Sequence, residues 1–166
     1  MRSTLSTVRS LRVWFPALAV ALLAAFLVFG SPHRARADDV PLSQGKPTTS
    51  SSVVGGGWIA ANAVDGDDRT RWASASGDGQ WLCVDLGAPA DVTRVVLKWA
   101  AAYAKAFQVQ VSGDGSTWTT VYTTTAGAGG TRTLSVTGSG RYVRMLGTTA
   151  AMRYGFSLWE LQVYGT

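Results

Sequence analysis

Alternating apolar and polar residues beyond residue 46 predict β-strands. In residues 94–99, and again in residues 107–112, an apolar side chain recurs at every second position. A period of two is typical of strands that bury one face and expose the other. No stretch of this region shows the 3.6-residue period of an amphipathic helix. The pattern therefore predicts an all-β domain.

Turn signals between these runs indicate how the strands connect. Asp114-Gly115 lies between apolar runs at residues 107–112 and 117–124, and Asp-Gly suits the positive φ of a hairpin. Residues 126–130 are rich in glycine and alanine and predict a flexible loop. Further strands are expected at residues 131–137, 141–146 and 156–164. Short strands at this spacing favour an antiparallel sandwich or barrel.

Most of the tryptophans, and the single cysteine, are interpreted as packing residues. Aromatic side chains bring a large buried area to a small core, so the following are expected in the core or at its edge: Trp72, Trp81, Trp99, Trp118 and Trp159. Cys83 is the only cysteine, which excludes an intramolecular disulfide. No cationic residue adjoins it in sequence, so a buried strand position is expected rather than a reactive thiol.

The first 37 residues have the features of a secretory signal peptide. Arginines precede an apolar run at residues 13–29, and Ala35-Arg36-Ala37 forms a small-x-small cleavage site. The run is 17 residues long, so an uncleaved membrane anchor is the alternative. We expect cleavage after Ala37, a short linker at residues 38–45 and a domain at residues 46–166. The protein is therefore expected outside the cell.

Removing this leader changes the charge of the chain. The full sequence has 15 Lys and Arg against 10 Asp and Glu, but five of the arginines lie in residues 1–37. The remainder is formally neutral and has no strong field to attract nucleic acid. The only histidine, His33, also leaves with the leader, so Ser-His and Cys-His nucleophile systems are excluded. These features argue against an enzyme.

An acidic loop at residues 62–72 is the strongest candidate for chemistry. It carries Asp65, Asp67, Asp68 and Thr70, and such oxygens are the ligands that calcium prefers. An ordinary Asp/Gly turn is the alternative. Glu160, the only glutamate, lies in an apolar segment where an unpaired charge is costly. Its partner is expected to be either a cation held by this loop or an arginine, Arg141 or Arg144.

In order, several motifs resemble one known family. They are residues 42–47, residues 62–66 followed by Thr70-Arg71-Trp72, residues 80–87, residues 109–118, residues 141–144 and residues 157–165. The set resembles the discoidin, or coagulation factor five/eight type C, domains, and most of all the bacterial family 32 carbohydrate-binding modules. The resemblance implies a β-sandwich with the jelly-roll topology of galactose-binding domains, a structural Ca2+ ion and a carbohydrate ligand.

The resemblance also implies site residues. Its calcium ligands carry over to Asp65, Asp68, Thr70 and Glu160, with a backbone carbonyl from Ala63. Sugar binding in such modules uses loops at one end of the sandwich, where an aromatic ring meets the apolar face of a pyranose. The candidates for that contact are Trp58, Tyr103, Lys105, Arg153 and Tyr154.

The same loops depart from the family pattern. Val53 and Ala100 stand where many relatives have glutamate, Ser76 replaces a common aromatic residue, and Ala150 replaces a common basic one. The loss of both carboxylates argues against a cationic amino sugar and implies either a neutral glucan or galactoside as the ligand or a weakened site. The alternative function is adhesion to a protein or lipid surface, for which the apolar side chains would be Val53, Val54, Trp58 and Ile59.

Overall fold

The structure is a computed structural model that describes residues 40–166. The expected signal peptide lies outside the described residues. The described part contains one turn of 3₁₀ helix, Ala60–Ala63, and seven strands: β1 Thr48–Ser50, β2 Trp72–Ala73, β3 Gln80–Trp99, β4 Ala104–Ser112, β5 Thr119–Thr124, β6 Thr131–Ala150 and β7 Ser157–Gly165. No helix in residues 40–166 is long and apolar enough to cross a membrane.

Two long bent strands, β3 and β6, build both layers of a sandwich. Residues 80–85 of β3 pair with residues 142–147 of β6, and this layer extends through β4 to β5 on one side and to β1 on the other. Residues 92–98 of β3 pair with β7 and with residues 131–138 of β6, while β2 pairs with β7. All pairings are antiparallel, which confirms the predicted β-sandwich.

The bend in β6 corrects the prediction of separate strands at residues 131–137 and 141–146. Gly138-Ser139-Gly140 looks like a turn, but β6 continues through it. A Cβ atom at Gly140 would lie 2.7 Å from the carbonyl oxygen of Ser112, so this position accepts only glycine without rearrangement. The glycines therefore let one strand pass from layer to layer and do not end it.

The hairpin between β4 and β5 is confirmed, with a six-residue loop at residues 113–118. Asp114 organises this loop, because its Oδ1 accepts hydrogen bonds from the backbone N–H groups of Ser116 (2.8 Å) and Thr117 (2.7 Å). Gly115 supplies the positive φ, at 75°. These contacts explain why the Asp-Gly pair predicts the turn correctly.

One apolar cluster joins the two layers. Leu82, Val84 and Met145 from one layer pack with Leu97 and Leu161 from the other, and all five are fully buried. Burial of apolar surface of this kind supplies most of the stability of a small domain.

The tryptophans divide between this core and the surface. Trp72 and Trp99 are buried in the core, as predicted. Trp81 and Trp118 are half-buried at its edge, also in line with the prediction. Trp159 is half-buried too, but it lines a surface cleft.

The start of the domain differs from the expected boundary. Residues 42–45 were expected to form a linker, but the N–H of Leu42 donates to the carbonyl of Val163 (2.7 Å), and the buried Ser43 hydroxyl donates to the carbonyl of Leu161 (2.9 Å). Gly45 is bonded to the carbonyl of Val64 (2.7 Å). The segment is therefore fastened to β7 and to the acidic loop and belongs to the domain.

Candidate functional site

A cleft of about 470 Å³ opens where β3 ends and β7 begins. Three aromatic side chains line it, Trp58, Tyr154 and Trp159. Its polar lining residues are Arg71, Ser76 and Ser157. The rest of the lining is aliphatic: Val54, Ala73, Ala100, Ala101, Ala102 and Met152. A mainly apolar pocket with a few polar groups is the usual form of a small-ligand site.

Arg71 is held between two indole rings at this cleft. Its guanidinium carbon lies 5.1 Å from the ring centre of Trp58 and 5.0 Å from that of Trp159. Both distances fall within the range of a cation–π contact. Among residues 40–166, no carboxylate forms an ion pair with Arg71. In this part of the chain, the two indole rings are therefore the partners that the structure gives its guanidinium.

Trp58 projects from a glycine-rich loop that is nevertheless anchored. The Asn62 amide Nδ2 donates to the carbonyl of Gly57 (2.9 Å) and to that of Arg71 (3.1 Å). The N–H of Ala73 donates to the carbonyl of Trp58 (3.2 Å). The indole itself is 41% exposed, so its outer face is open to a ligand.

The structure gathers only some of the predicted sugar-binding residues. Trp58 and Tyr154 line the cleft, and Arg153 lies at its rim, where its Nη2 donates to the Tyr154 hydroxyl (3.1 Å). Tyr103 does not line this cleft, because its half-buried ring packs against Gly129 and the core. Lys105 is exposed on β4 and also lies outside the lining.

Sequence reasoning missed Arg71, Met152 and Trp159. Arg71 lies in the motif interpreted as a metal loop, and Trp159 lies in a strand interpreted as core. Met152 carried no signal at all. The cleft exists because β2 and the end of β3 both border β7, and that pairing is not visible in the local pattern.

The four positions expected to depart from the family pattern lie at or near this cleft. Ser76 and Ala100 line it, and Val53 is exposed beside the lining residue Val54. Ala150 ends β6, where its N–H donates to Oδ1 of Asp78 (2.9 Å). No aspartate or glutamate is among the residues that line the cleft.

The acidic loop lies against Glu160. The carboxylate of Glu160 is 2% exposed, and its Oε1 accepts a hydrogen bond from the N–H of Gly66 (3.0 Å). Within the loop, Oδ2 of Asp65 accepts from the Thr70 hydroxyl (2.6 Å), and its Oδ1 accepts from the N–H of Asp67 (2.8 Å). Ala63 is fully buried at the start of the loop.

Neither arginine considered as a partner of Glu160 reaches it. Arg141 forms a bidentate pair with Asp85 at 2.7 Å, and Nε of Arg144 donates to the Gln110 side chain (2.6 Å). Burial raises the pKa of Glu160 to about 7, against the Gly66 hydrogen bond, which lowers it. The negative charges of Asp65 and Asp68 raise this pKa as well.

The oxygen chemistry around Glu160 suits a hard cation, although the acidic side chains alone do not enclose one. Within residues 40–166, no three His, Cys, Asp or Glu side chains are close enough to hold a metal ion by themselves. The side chain of Asp68 is engaged by Lys98, whose Nζ lies 2.8 Å from Oδ1. Asp65, Thr70 and Glu160 offer oxygen donors only, as calcium requires, and backbone carbonyls would have to complete the set.

Comparison with known proteins identifies the family. The model of the F5/8 type C domain matches residues 47–161. Chitosan-binding module 1 of a Paenibacillus sp. IK-5 chitosanase/glucanase is 48% identical, with a TM-score of 0.73 over 75% of this chain and 98% of the module. Module 2 of the same enzyme, solved in complex with chitotriose, is 45% identical, with a TM-score of 0.72 over 75% and 99%.

A curated relative shows the same kind of domain inside a larger protein. The polysaccharide lyase 8 family protein HylA of Enterococcus faecalis is 32% identical over 124 residues, which are 67% of this chain. The matched part is only 9% of the length of HylA. The resemblance seen in the sequence is confirmed, and the chain belongs to the F5/8 type C domain family.

Proposed function

We propose that this protein is a secreted, non-catalytic carbohydrate-binding module that binds a neutral poly- or oligosaccharide in the cleft beside Trp58. The observation that carries the proposal is the cleft itself. It combines three aromatic side chains with a few polar groups where β3 ends and β7 begins. The 45–48% identity to two chitosan-binding modules supports carbohydrate as the class of ligand.

The lining suits the two kinds of surface that a sugar presents. The apolar face of a pyranose ring packs on an exposed aromatic ring, and Trp58 and Tyr154 offer such rings. The hydroxyl groups of the sugar need hydrogen-bonding partners, which Ser76 and Arg71 can provide. Because no acidic side chain lines the cleft, a neutral sugar fits this lining better than a cationic one.

A structural calcium ion is part of the proposal. Asp65, Thr70 and Glu160 would hold it through side-chain oxygens, and Ala63 through its carbonyl. Asp68 would contribute its own carbonyl, since its carboxylate is occupied by Lys98. The ion would offset the buried charge of Glu160 and tie the acidic loop to β7. The acidic loop, held in place in this way, would then position the neighbouring loop that carries Trp58.

Isothermal titration calorimetry against a panel of oligosaccharides tests carbohydrate binding. The affinity expected for one small site is micromolar to millimolar, or roughly −8 to −4 kcal/mol. Retention by soluble or insoluble polysaccharides provides a second assay. A cooperative unfolding transition shows that the protein is folded. If the folded protein binds none of these saccharides, the proposal is contradicted. Mass spectrometry of the secreted protein should show that it begins at Asp38.

One observation favours adhesion to a lipid surface as a second candidate function. Val53, Val54, Ile59 and Met152 are all exposed large apolar side chains on the loops around the cleft. Such residues could insert into a membrane interface, although the neutral net charge of residues 38–166 supplies no electrostatic attraction. Co-sedimentation with vesicles, without any binding to glycans, would favour this function.

A further inference from the structure

Building on the proposed function, we infer that Arg71 makes the cleft select its ligand by charge. Chains of β-linked N-acetylglucosamine, which are neutral, are accepted, and the same chains are rejected once they have been deacetylated and carry ammonium groups. Arg71 is then the specificity-determining residue of the site. The inference fixes a substrate class, the acetamido sugars, where the proposed function names only neutral saccharides.

The position of Arg71 gives it this role. The guanidinium is held 5.1 Å and 5.0 Å from the ring centres of Trp58 and Trp159, the same rings that face the ligand. Among residues 40–166, no carboxylate pairs with it and neutralises its charge. A sugar that stacks on either ring is therefore brought close to a fixed positive charge.

Nothing in the lining compensates an incoming ammonium group. The lining contains no acidic residue, and apart from Arg71 every residue that lines the cleft is uncharged. Two like charges about 4 Å apart, in the partly desolvated setting of a cleft, repel strongly enough to weaken binding by at least about tenfold. The cationic sugar therefore has no partner to offset this repulsion.

The cleft offers the acetamido group, by contrast, an apolar contact for its methyl group and a hydrogen-bond donor for its carbonyl oxygen. Its methyl group can pack against the aliphatic wall formed by residues 100–102 and Met152. Its carbonyl oxygen is an acceptor, and Arg71 has only donors. A hydrogen bond from a charged donor is stronger than one between neutral groups. The same arginine thus favours the acylated sugar and disfavours the free amine.

Two ligands that differ only in acetylation provide the test. Chitotriose, which the related Paenibacillus module 2 binds in its solved structure, is compared with its tri-N-acetylated form by calorimetry in slightly acidic buffer, where the amines are charged. The parent protein is expected to bind the acetylated trimer at least about tenfold more tightly. Raising the ionic strength should narrow that ratio, because salt screens the repulsion.

Three variants test whether Arg71 causes the preference for the acetylated trimer. Arg71→Gln should reduce the preference severalfold, since it removes the charge but keeps an amide donor. Ala100→Glu should raise the affinity for chitotriose about tenfold, because it adds an acidic partner to the lining. Arg132→Gln is the matched control, since it makes the same chemical change at an exposed residue of β6 that does not line the cleft. It should leave the ratio unchanged.

The possible results separate the inference from the proposed function. Equal or tighter binding of chitotriose by the parent overturns the inference and leaves carbohydrate binding intact. An unchanged ratio of the two affinities in Arg71→Gln overturns the inference as well, provided that the variant has the same Tm as the parent. If Arg71→Gln does not fold, Ala100→Glu decides alone, and failure to gain affinity for chitotriose overturns the inference. Binding of no saccharide at all removes the proposed function itself.

Discussion

Replacing Glu160 with glutamine removes the ionisable group from a side chain that is 2% exposed and whose one hydrogen bond within residues 40–166 comes from Gly66. Without a cation, the ionised carboxylate is poorly compensated, and an unsatisfied buried polar group of this kind costs about 1–3 kcal/mol, or more when charged. The variant should therefore be at least as stable as the parent in a chelator. In calcium the order should reverse, because only the parent keeps the full set of ligands.

The size of the calcium effect follows from mass action. At a hundredfold excess over its dissociation constant, a ligand that binds only the folded state adds about 2.7 kcal/mol to the free energy of unfolding. For a domain of this size, a change of 1 kcal/mol shifts Tm by about 4 °C. The parent should therefore melt about 10 °C higher in saturating calcium than in chelator. Glu160→Gln should lose most of that difference.

Thermal unfolding is followed by circular dichroism in calcium and in chelator. It measures the Tm of the parent and of Glu160→Gln in each buffer, and so the calcium-dependent shift of each protein. Asp91→Asn is the matched control, because it makes the same chemical change at an exposed residue away from the acidic loop. It should keep the full calcium shift. If the parent melts at the same temperature in both buffers, or if Glu160→Gln retains the whole shift, the assignment of a cation to this loop is refuted.

Two further predictions concern groups outside the cleft. Hydrogen bonds from Arg141 lower the pKa of Asp85 to about 2, so the stability gained from this pair is present above the unfolded pKa near 4 and is lost as the pH falls towards 2. Because the Arg141 and Asp85 side chains are 41% and 24% exposed, Arg141→Met should lower the free energy of unfolding only slightly at neutral pH, and urea titrations should show this loss vanish in acid. Burial raises the pKa of the Cys83 thiol to about 11, so alkylation by iodoacetamide should be slow in the folded protein and fast in urea; rapid labelling of the folded protein would contradict the burial seen here.

The strands could be predicted from the sequence because their signal is local. The alternation in residues 94–99 and the Asp114-Gly115 turn each act over a few residues, and both have the expected structure. The break expected at residues 138–140 was wrong for the same reason. Local composition cannot distinguish a glycine that ends a strand from one that lets it bend across the core.

The functional site could be predicted only in part because it is assembled by distant pairings. Glu160 and its contact in the acidic loop, Gly66, are 94 residues apart in the chain. In the sequence, they were linked only by the argument that the charge of Glu160 needs a partner. Trp58 and Tyr154 were candidates because the resemblance implies sugar-binding loops at one end of the sandwich, and both line the cleft. Lys105 does not line the cleft, and the local pattern could not show this because its position depends on how β4 pairs with its neighbours.

A saccharide that binds in the proposed cleft must lie between Trp58 and Trp159. The six tryptophans of residues 38–166 each give one indole N–H signal in a two-dimensional NMR spectrum, and a titration with an oligosaccharide that binds in calorimetry reports which of them contact it. The signals of Trp58 and Trp159 should move with ligand concentration, and those of Trp81 and Trp118 should stay. Movement of Trp81 or Trp118, with Trp58 and Trp159 unchanged, would place the ligand on another surface and contradict the account.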